Sequence, residues 1–385
     1  MDYELLKFVW WLLIGGLLIG FALLEGLDLG ARVLTPFMAA QSAVLSQQTR
    51  PFSWPQHITL FWLLALCSAI VVVWPSLGLL PCVGGGLMGV LLLLRQSNGS
   101  SLRPFGAWSA LVIGLIPAAL IGVMLGNLFL GLPFSRCALA ASEFHGTLSG
   151  LFRPFALLIG VISLSMFCQL GATWVMLRGS NVLRQASRQV AWRAGVVFLV
   201  GFTAAALWLA ADIRGYRLAA SVHSHTLCSP GLSVVLPGNA GWQGNFSAWP
   251  LACLAPLLAL SGTVLSLYSV VRGRAGMAVL GSGLAIVMML CSIGLALFPF
   301  IIPSSVQLSA SLTVWNAASG EKTMGLMLIL ASVLMPMLLA YTVGAGLRGR
   351  NRPLKSSPKG KISQRIQERQ QRLASPAIHR DHRIA

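Results

Sequence analysis

Charge is what this chain has least of. Only 9% of its 385 residues are Asp, Glu, Lys or Arg, whereas a soluble domain carries about 25% because its surface must face water. A water-soluble globular fold is thereby excluded. Acids number nine and histidines six, too few and too scattered for a serine triad. No glycine-rich phosphate loop ending in Lys-Ser/Thr occurs either, and no residue is singled out as catalytic. The seven cysteines are Cys67, Cys82, Cys137, Cys168, Cys228, Cys253 and Cys291. They form neither a Cys-x-x-Cys nor a cluster with histidine, so no metal site is predicted. Haem ligation calls for His or Met projecting into a buried pocket. Of His57, His145, His223, His225, His379 and His382, only His57 touches an apolar run, and it stands at the edge. The 13 methionines read as packing residues, so the residues alone predict no haem in this chain.

What the chain has in abundance is apolar length, with 56% hydrophobic residues. Runs of about 20 apolar residues recur, each able to cross a hydrocarbon core of about 30 Å. The pattern predicts an all-α, polytopic integral membrane protein. About nine spanning helices are expected, near 6–30, 57–79, 82–95, 107–131, 154–177, 192–212, 249–271, 277–301 and 323–346. Residues 1–346 thus read as a transmembrane domain and 347–385 as a basic tail. Asp2 and Glu4 precede the first run, where a secretory leader would be basic. Gly16 and Gly20, Gly26 and Gly30, and Gly85 and Gly89 have the spacing that lets helices approach closely.

The net charge of +18 is a topology signal rather than a nucleic-acid surface. Counted on alternate sides of the spans, 21 of the 27 Lys and Arg fall on one side, eleven of them in the tail. The other side has six: Lys7, Arg136, Arg153, Arg214, Arg217 and Lys322. The richer side is expected to be cytoplasmic, with the N-terminus periplasmic and the C-terminus in the cytoplasm of a bacterial inner membrane. Segments 132–153 and 213–248, rich in Ser, Gly and Pro, read as periplasmic loops. The tail stretch Ile362 to Leu373 can form a short helix with Arg365, Arg369 and Arg372 on one side. It reads either as a solvated tail or as a contact for anionic lipid, at about 1 kcal/mol per basic residue.

Several motifs stand in a fixed order along the chain. They are Met1-Asp2-Tyr3-Glu4 with Trp10-Trp11, Glu25-Gly26-Leu27-Asp28-Leu29-Gly30, Trp74-Pro75 and Gly126-Asn127-Leu128. Further on come Gly131-Leu132-Pro133-Phe134, Gly171-Ala172-Thr173, Phe298-Pro299-Phe300 and Pro303-Ser304-Ser305. Last is Ser311-Leu312-Thr313-Val314-Trp315-Asn316. Together they resemble subunit II of the cytochrome bd-type quinol oxidases, from residue 1 to about 345. The resemblance implies a haemless subunit of about nine helices, packed as a pseudosymmetric pair with a haem-bearing subunit I that oxidises quinol. In some members subunit II also holds a quinone or part of a proton path. The chain is therefore expected to be enzymatic only within a terminal oxidase complex, with subunit I, membrane lipid and quinone as partners. Three departures mark it as divergent. Counted back from Trp62, His57 occupies the family's acidic position, although counting forward from Trp54 puts Pro55 there. Asn316 stands where Asp is usual, and the segment after Arg103-Pro104 lacks the expected acidic and aromatic residues.

Intramembrane charge supplies the candidate site. Glu25 and Asp28 lie three apart near the predicted cytoplasmic end of the first helix and so share a face. A charge at mid-bilayer costs about 2.5–3.5 kcal/mol on insertion scales, so acids kept there usually have a partner or a water-filled cavity. With His57 opening the next helix on the same side, the three read as a proton-entry cluster, or else as interfacial groups at a helix end. Asp212 and Arg214 close the sixth span as a local ion pair or by snorkelling. Cys137 and Cys228 fall in the two long outer loops, where they read as a loop-bridging disulfide or as two separate thiols. Two rival functions are a secondary transporter with a cavity at Glu25 and Asp28, and a degenerate paralogue with an assembly role. A transporter more often shows inverted repeats, and no second acidic pair matches the first.

Overall fold

Apolar runs of this length leave the backbone one way to satisfy its N–H and C=O groups in lipid, which is the helix. The computed structural model describes residues 2–39, 56–77, 84–90, 106–136, 142–147, 149–179, 181–213, 215–218, 235–238 and 241–350. Eight long helices are seen: α1 (Tyr3–Ala39), α2 (Gln56–Val73), α3 (Gly106–Leu130), α4 (Pro154–Arg178), α5 (Asn181–Ala211), α6 (Leu254–Val271), α7 (Ala275–Leu297) and α8 (Glu321–Arg350). Residues 84–90 are also helical, within the expected third span. Among the described residues, six helices are long and apolar enough to cross a membrane. The chain divides into Met1–Val343 and Gly344–Ala385; of the second unit only the last turns of α8 are described.

The helix ends follow local chemistry. Pro154 opens α4 at a position where its missing N–H costs nothing. α2 stops before Pro75, and α7 stops before Phe298–Pro299, whose peptide bond is cis. α5 begins at Asn181, well ahead of its apolar run, because Asn181–Arg193 is a polar and basic stretch that continues the same helix.

α4 is the centre of the bundle, touching α1, α3, α5 and α7. It is buried on nearly every side, with Ile162, Phe167 and Ala172 wholly inside. The core around it takes Ile286 and Met289 from α7, Phe198 from α5 and Ala259 from α6. Close approach is set by glycines. A Cβ at Gly122 or Gly126 of α3 would run into the backbone of α4. Between α6 and α7, a Cβ on Gly262 would lie 2.9 Å from the Gly281 carbonyl, and one on Gly281 2.7 Å from that of Gly262. Of the spacings picked from sequence, Gly20 meets the Trp62 ring and Gly85 meets Cys67, whereas Gly16 faces open space. Small polar side chains complete the seams: Thr173 and Ser282 hydroxyls are 3.0 Å apart, and Ser163 donates to the Ala118 carbonyl at 2.9 Å.

The two segments expected as loops, 132–153 and 213–248, each hold a small antiparallel strand pair, and a third pair lies between α7 and α8, starting within the expected span 277–301. β1 (Phe134–Arg136) pairs with β2 (Ser142–Phe144), β3 (Gly215–Leu218) with β4 (Val235–Gly238), and β5 (Phe300–Ile302) with β6 (Leu312–Thr313). Two of the ordered sequence motifs meet here. Leu132 N–H donates to the Pro303 carbonyl at 2.9 Å, and Ser305 N–H donates to that of Leu132 at 3.0 Å. Trp242 anchors the cap, its indole donating to the Phe129 carbonyl at 3.0 Å while its ring meets Phe129, Tyr216 and Phe300. Burial pushes the Tyr216 hydroxyl above its ordinary pKa, with Arg153 opposing. Asn245 donates to the Leu295, Ala296 and Phe298 carbonyls at the end of α7.

Candidate functional site

α1 carries both acids inside one continuous helix. It runs on to Ala39, so Glu25 and Asp28 do not mark its end. Both are 0% exposed. Gly26, between them, lies against Phe167 and Leu170 of α4 and Ile286 of α7, which turns this part of α1 into the middle of the bundle. A buried carboxylate is costly unless paired, hydrogen-bonded or protonated, and neither acid stands without an interaction partner.

His57 sits differently. α2 runs antiparallel to α1, with the Trp62 ring against Gly20, which puts the start of α2 at a depth similar to the acids. The His57 ring is exposed and its Nε2 lies 2.9 Å from the Tyr341 hydroxyl of α8, with Phe61 alongside. Its described partners are therefore Tyr341 and Phe61. The structure brings Glu25 and Asp28 together inside the bundle and sets His57 on its outer side. Asp212 accepts from the Trp208 indole at 3.4 Å; Arg214, Cys137, Cys228 and the tail beyond Arg350 lie outside the described residues.

Sequence reasoning passed over Lys7, counting it only as a charge. It is 8% exposed, donates to the Trp315 carbonyl at 3.3 Å and lies 4.0 Å above the Tyr3 ring. Eighteen residues of helix, about 27 Å, separate it from Glu25, so the buried cation and the buried acids bracket the span. Gln169, also passed over, is buried on α4 beside Gly195 and Leu267, and its Nε2 has no hydrogen-bond partner. The only signal for either was a polar residue inside an apolar run.

Among the described residues, His57 and His145 lie at opposite ends of the bundle, each beside a hydroxyl, Tyr341 for one and Ser135 for the other. Met166 and Met289 are packed into the apolar core. No group of three or more His, Cys, Asp and Glu that could hold a metal occurs among the described residues.

Fold and site together define a polytopic helical membrane protein with an acidic pair buried in its first span. Residues 6–345 match the family model for cytochrome bd terminal oxidase subunit II. The chain belongs to that family, and so to the membrane subunits of quinol oxidase complexes. It is 30% identical over 357 residues to the cytochrome bd-I ubiquinol oxidase subunit 2 of Escherichia coli, covering 89% of this chain and 93% of the relative. It is 32% identical over 355 residues to a probable cytochrome oxidase subunit 2 of Haemophilus influenzae, covering 89% and 94%. The fold is similar to a chain of the bd oxidase from Geobacillus thermodenitrificans, with a TM-score of 0.62 at 15% identity, covering 91% of this chain and all of the other.

Proposed function

We propose that this chain is the haemless subunit II of a quinol:oxygen oxidoreductase, supporting a haem-bearing subunit I and supplying part of its proton entry. The family match across residues 6–345 carries the subunit assignment. The complete burial of Glu25 and Asp28 favours the proton reading. Reduction of dioxygen to water consumes protons, and a protein interior passes them only through titratable groups or ordered water. In this reading one carboxyl of the pair holds a proton that the other accepts, and His57 with Tyr341 forms the exposed mouth. An imidazole suits that position because its two ring nitrogens can take up a proton on one side and give one up on the other.

The test is Glu25→Gln, alone and with Asp28→Asn, in the assembled complex. Oxygen consumption is expected to fall clearly at Glu25 and less at Asp28, with the complex's haem content unchanged. Loss of haem from the complex would make the pair structural, and full activity in the double variant would end the proton reading. His57→Ala should slow turnover without affecting assembly if the mouth assignment holds.

A further inference from the structure

The six arginines Arg178, Arg184, Arg188, Arg193, Arg272 and Arg274 gather at the end of the bundle that holds the α6–α7 turn. α4, α5, α6 and α7 contain no Asp or Glu, so no carboxylate on these helices offsets the charge of Arg184, Arg188 and Arg193. The polar beginning of α5 sorts its residues by face. Leu183, Ser187 and Ala191 are buried, while Arg184, Gln185, Arg188, Gln189, Trp192 and Arg193 are exposed. These recur at i, i+1, i+4, i+5, i+8 and i+9, which makes one continuous stripe.

Five members of that stripe, Gln185 to Arg193, wall a cleft of about 460 Å³ that is closed on the other side by Val270 and Val271 of α6. Small-molecule sites run from roughly 300 to 1,000 Å³. Arg184 and Arg188 each give one N–H to a carbonyl at the end of α6 or in the turn after it, Arg184 to Gly273 at 3.3 Å and Arg188 to Val271. A guanidinium has five donors, so capping orients these side chains and leaves most of their hydrogens available. Below the cleft both helices turn apolar, exposing Val197 and Val200 on α5 and Val264 and Tyr268 on α6.

We propose that this cleft binds the headgroup of an anionic phospholipid, with the acyl chains lying along the exposed apolar faces of α5 and α6. Guanidinium forks match a phosphodiester. Gln185 and Gln189 can donate to glycerol oxygens, and Trp192 has the amphipathic ring found where a span meets the headgroup layer. A zwitterionic headgroup brings its own cation into an already positive cleft, and a free phosphate has no chains to fill the apolar faces. Both are expected to bind less well.

The test uses the full-length protein with the subunits it retains. Native mass spectrometry counts retained lipid during titration with phosphatidylglycerol, phosphatidylcholine of the same acyl chains, or inorganic phosphate. Phosphatidylglycerol should be retained preferentially, and removing one unit of positive charge should weaken it about fivefold, since a basic residue near the surface contributes about 1 kcal/mol. Arg193→Gln and Gln189→Glu each make that change without touching the capping arginines. Arg365→Gln with Arg369→Gln in the tail serves as control and should leave retention unchanged. Equal retention of the two lipids, or unchanged retention in both cleft variants, overturns the proposal. So does loss of lipid in the tail control, which would place it on the tail. Displacement by inorganic phosphate at concentrations matching the lipid would make this a simple anion site and overturn the lipid assignment.

Discussion

Asn316 closes its turn with both ends of its amide. Oδ1 accepts from the Thr313 N–H at 2.7 Å, and Nδ2 donates to the Ser311 carbonyl at 3.0 Å. A carboxylate can take the first bond but cannot make the second, and its other oxygen would face a carbonyl. Asn316→Asp is therefore expected to destabilise the protein by about 1–3 kcal/mol, read as a lower midpoint of thermal unfolding in detergent. An unchanged midpoint would show that the turn tolerates the acid. This gives a physical sense to one departure that the sequence displays but does not explain. Glu25 and Asp28 were legible from sequence because an acid in an apolar run is expensive wherever the chain folds. Lys7 and Asn245 were not, since what makes them structural is a carbonyl at Trp315, 308 residues from Lys7, or a helix end about 50 residues from Asn245. Composition carries no trace of such partners.

The seam of α6 and α7 depends on backbone meeting backbone. Gly281→Val would push a branched side chain onto the Gly262 carbonyl and the Ser266 N–H, neither of which can rotate away. A loss of about 1–3 kcal/mol, or failure to accumulate in the membrane, is expected. Two residues on, a Cβ at Gly283 meets only Leu23 Cδ2 at 4.0 Å. Gly283→Ala should be neutral or stabilise by up to about 1 kcal/mol through helix propensity. Equal losses at both positions, measured as thermal midpoints, would refute the seam. Most helices could be located from apolar length, because hydrophobic thickness imposes it. Their ends were less legible. α5 gains its basic first turns from amphipathic periodicity, which an apolar-run criterion cannot see, and strands of two to four residues are too short to show alternation. The close-approach glycines were misread in part for a related reason: spacing says which residues share a helix face but not which neighbour the face meets. Gly16 faces open space, whereas Gly122, Gly126, Gly262 and Gly281 hold the bundle together.

For the whole molecule, the alternation of helices puts the six arginines near the α6–α7 turn at one end, and Lys7, Arg153, Arg217 and Lys322 toward the other. With the eleven basic tail residues, this supports a cytoplasmic C-terminus. An alkaline-phosphatase fusion after Ala385 should be inactive and a green-fluorescent fusion bright; an active phosphatase would reverse the orientation. The α6–α7 hairpin also bears on how the protein is made. Its two helices are joined by the short turn Arg272–Arg274, with Gly273 at φ +72°. Both helices also pack on the rest of the bundle, α6 on α5 and α7 on α4 and α1. α4, made well before them, can surround Phe167 fully only when α7 delivers Ile286 and Met289. Completion of the core around α4 thus waits on side chains from a helix made later in the chain.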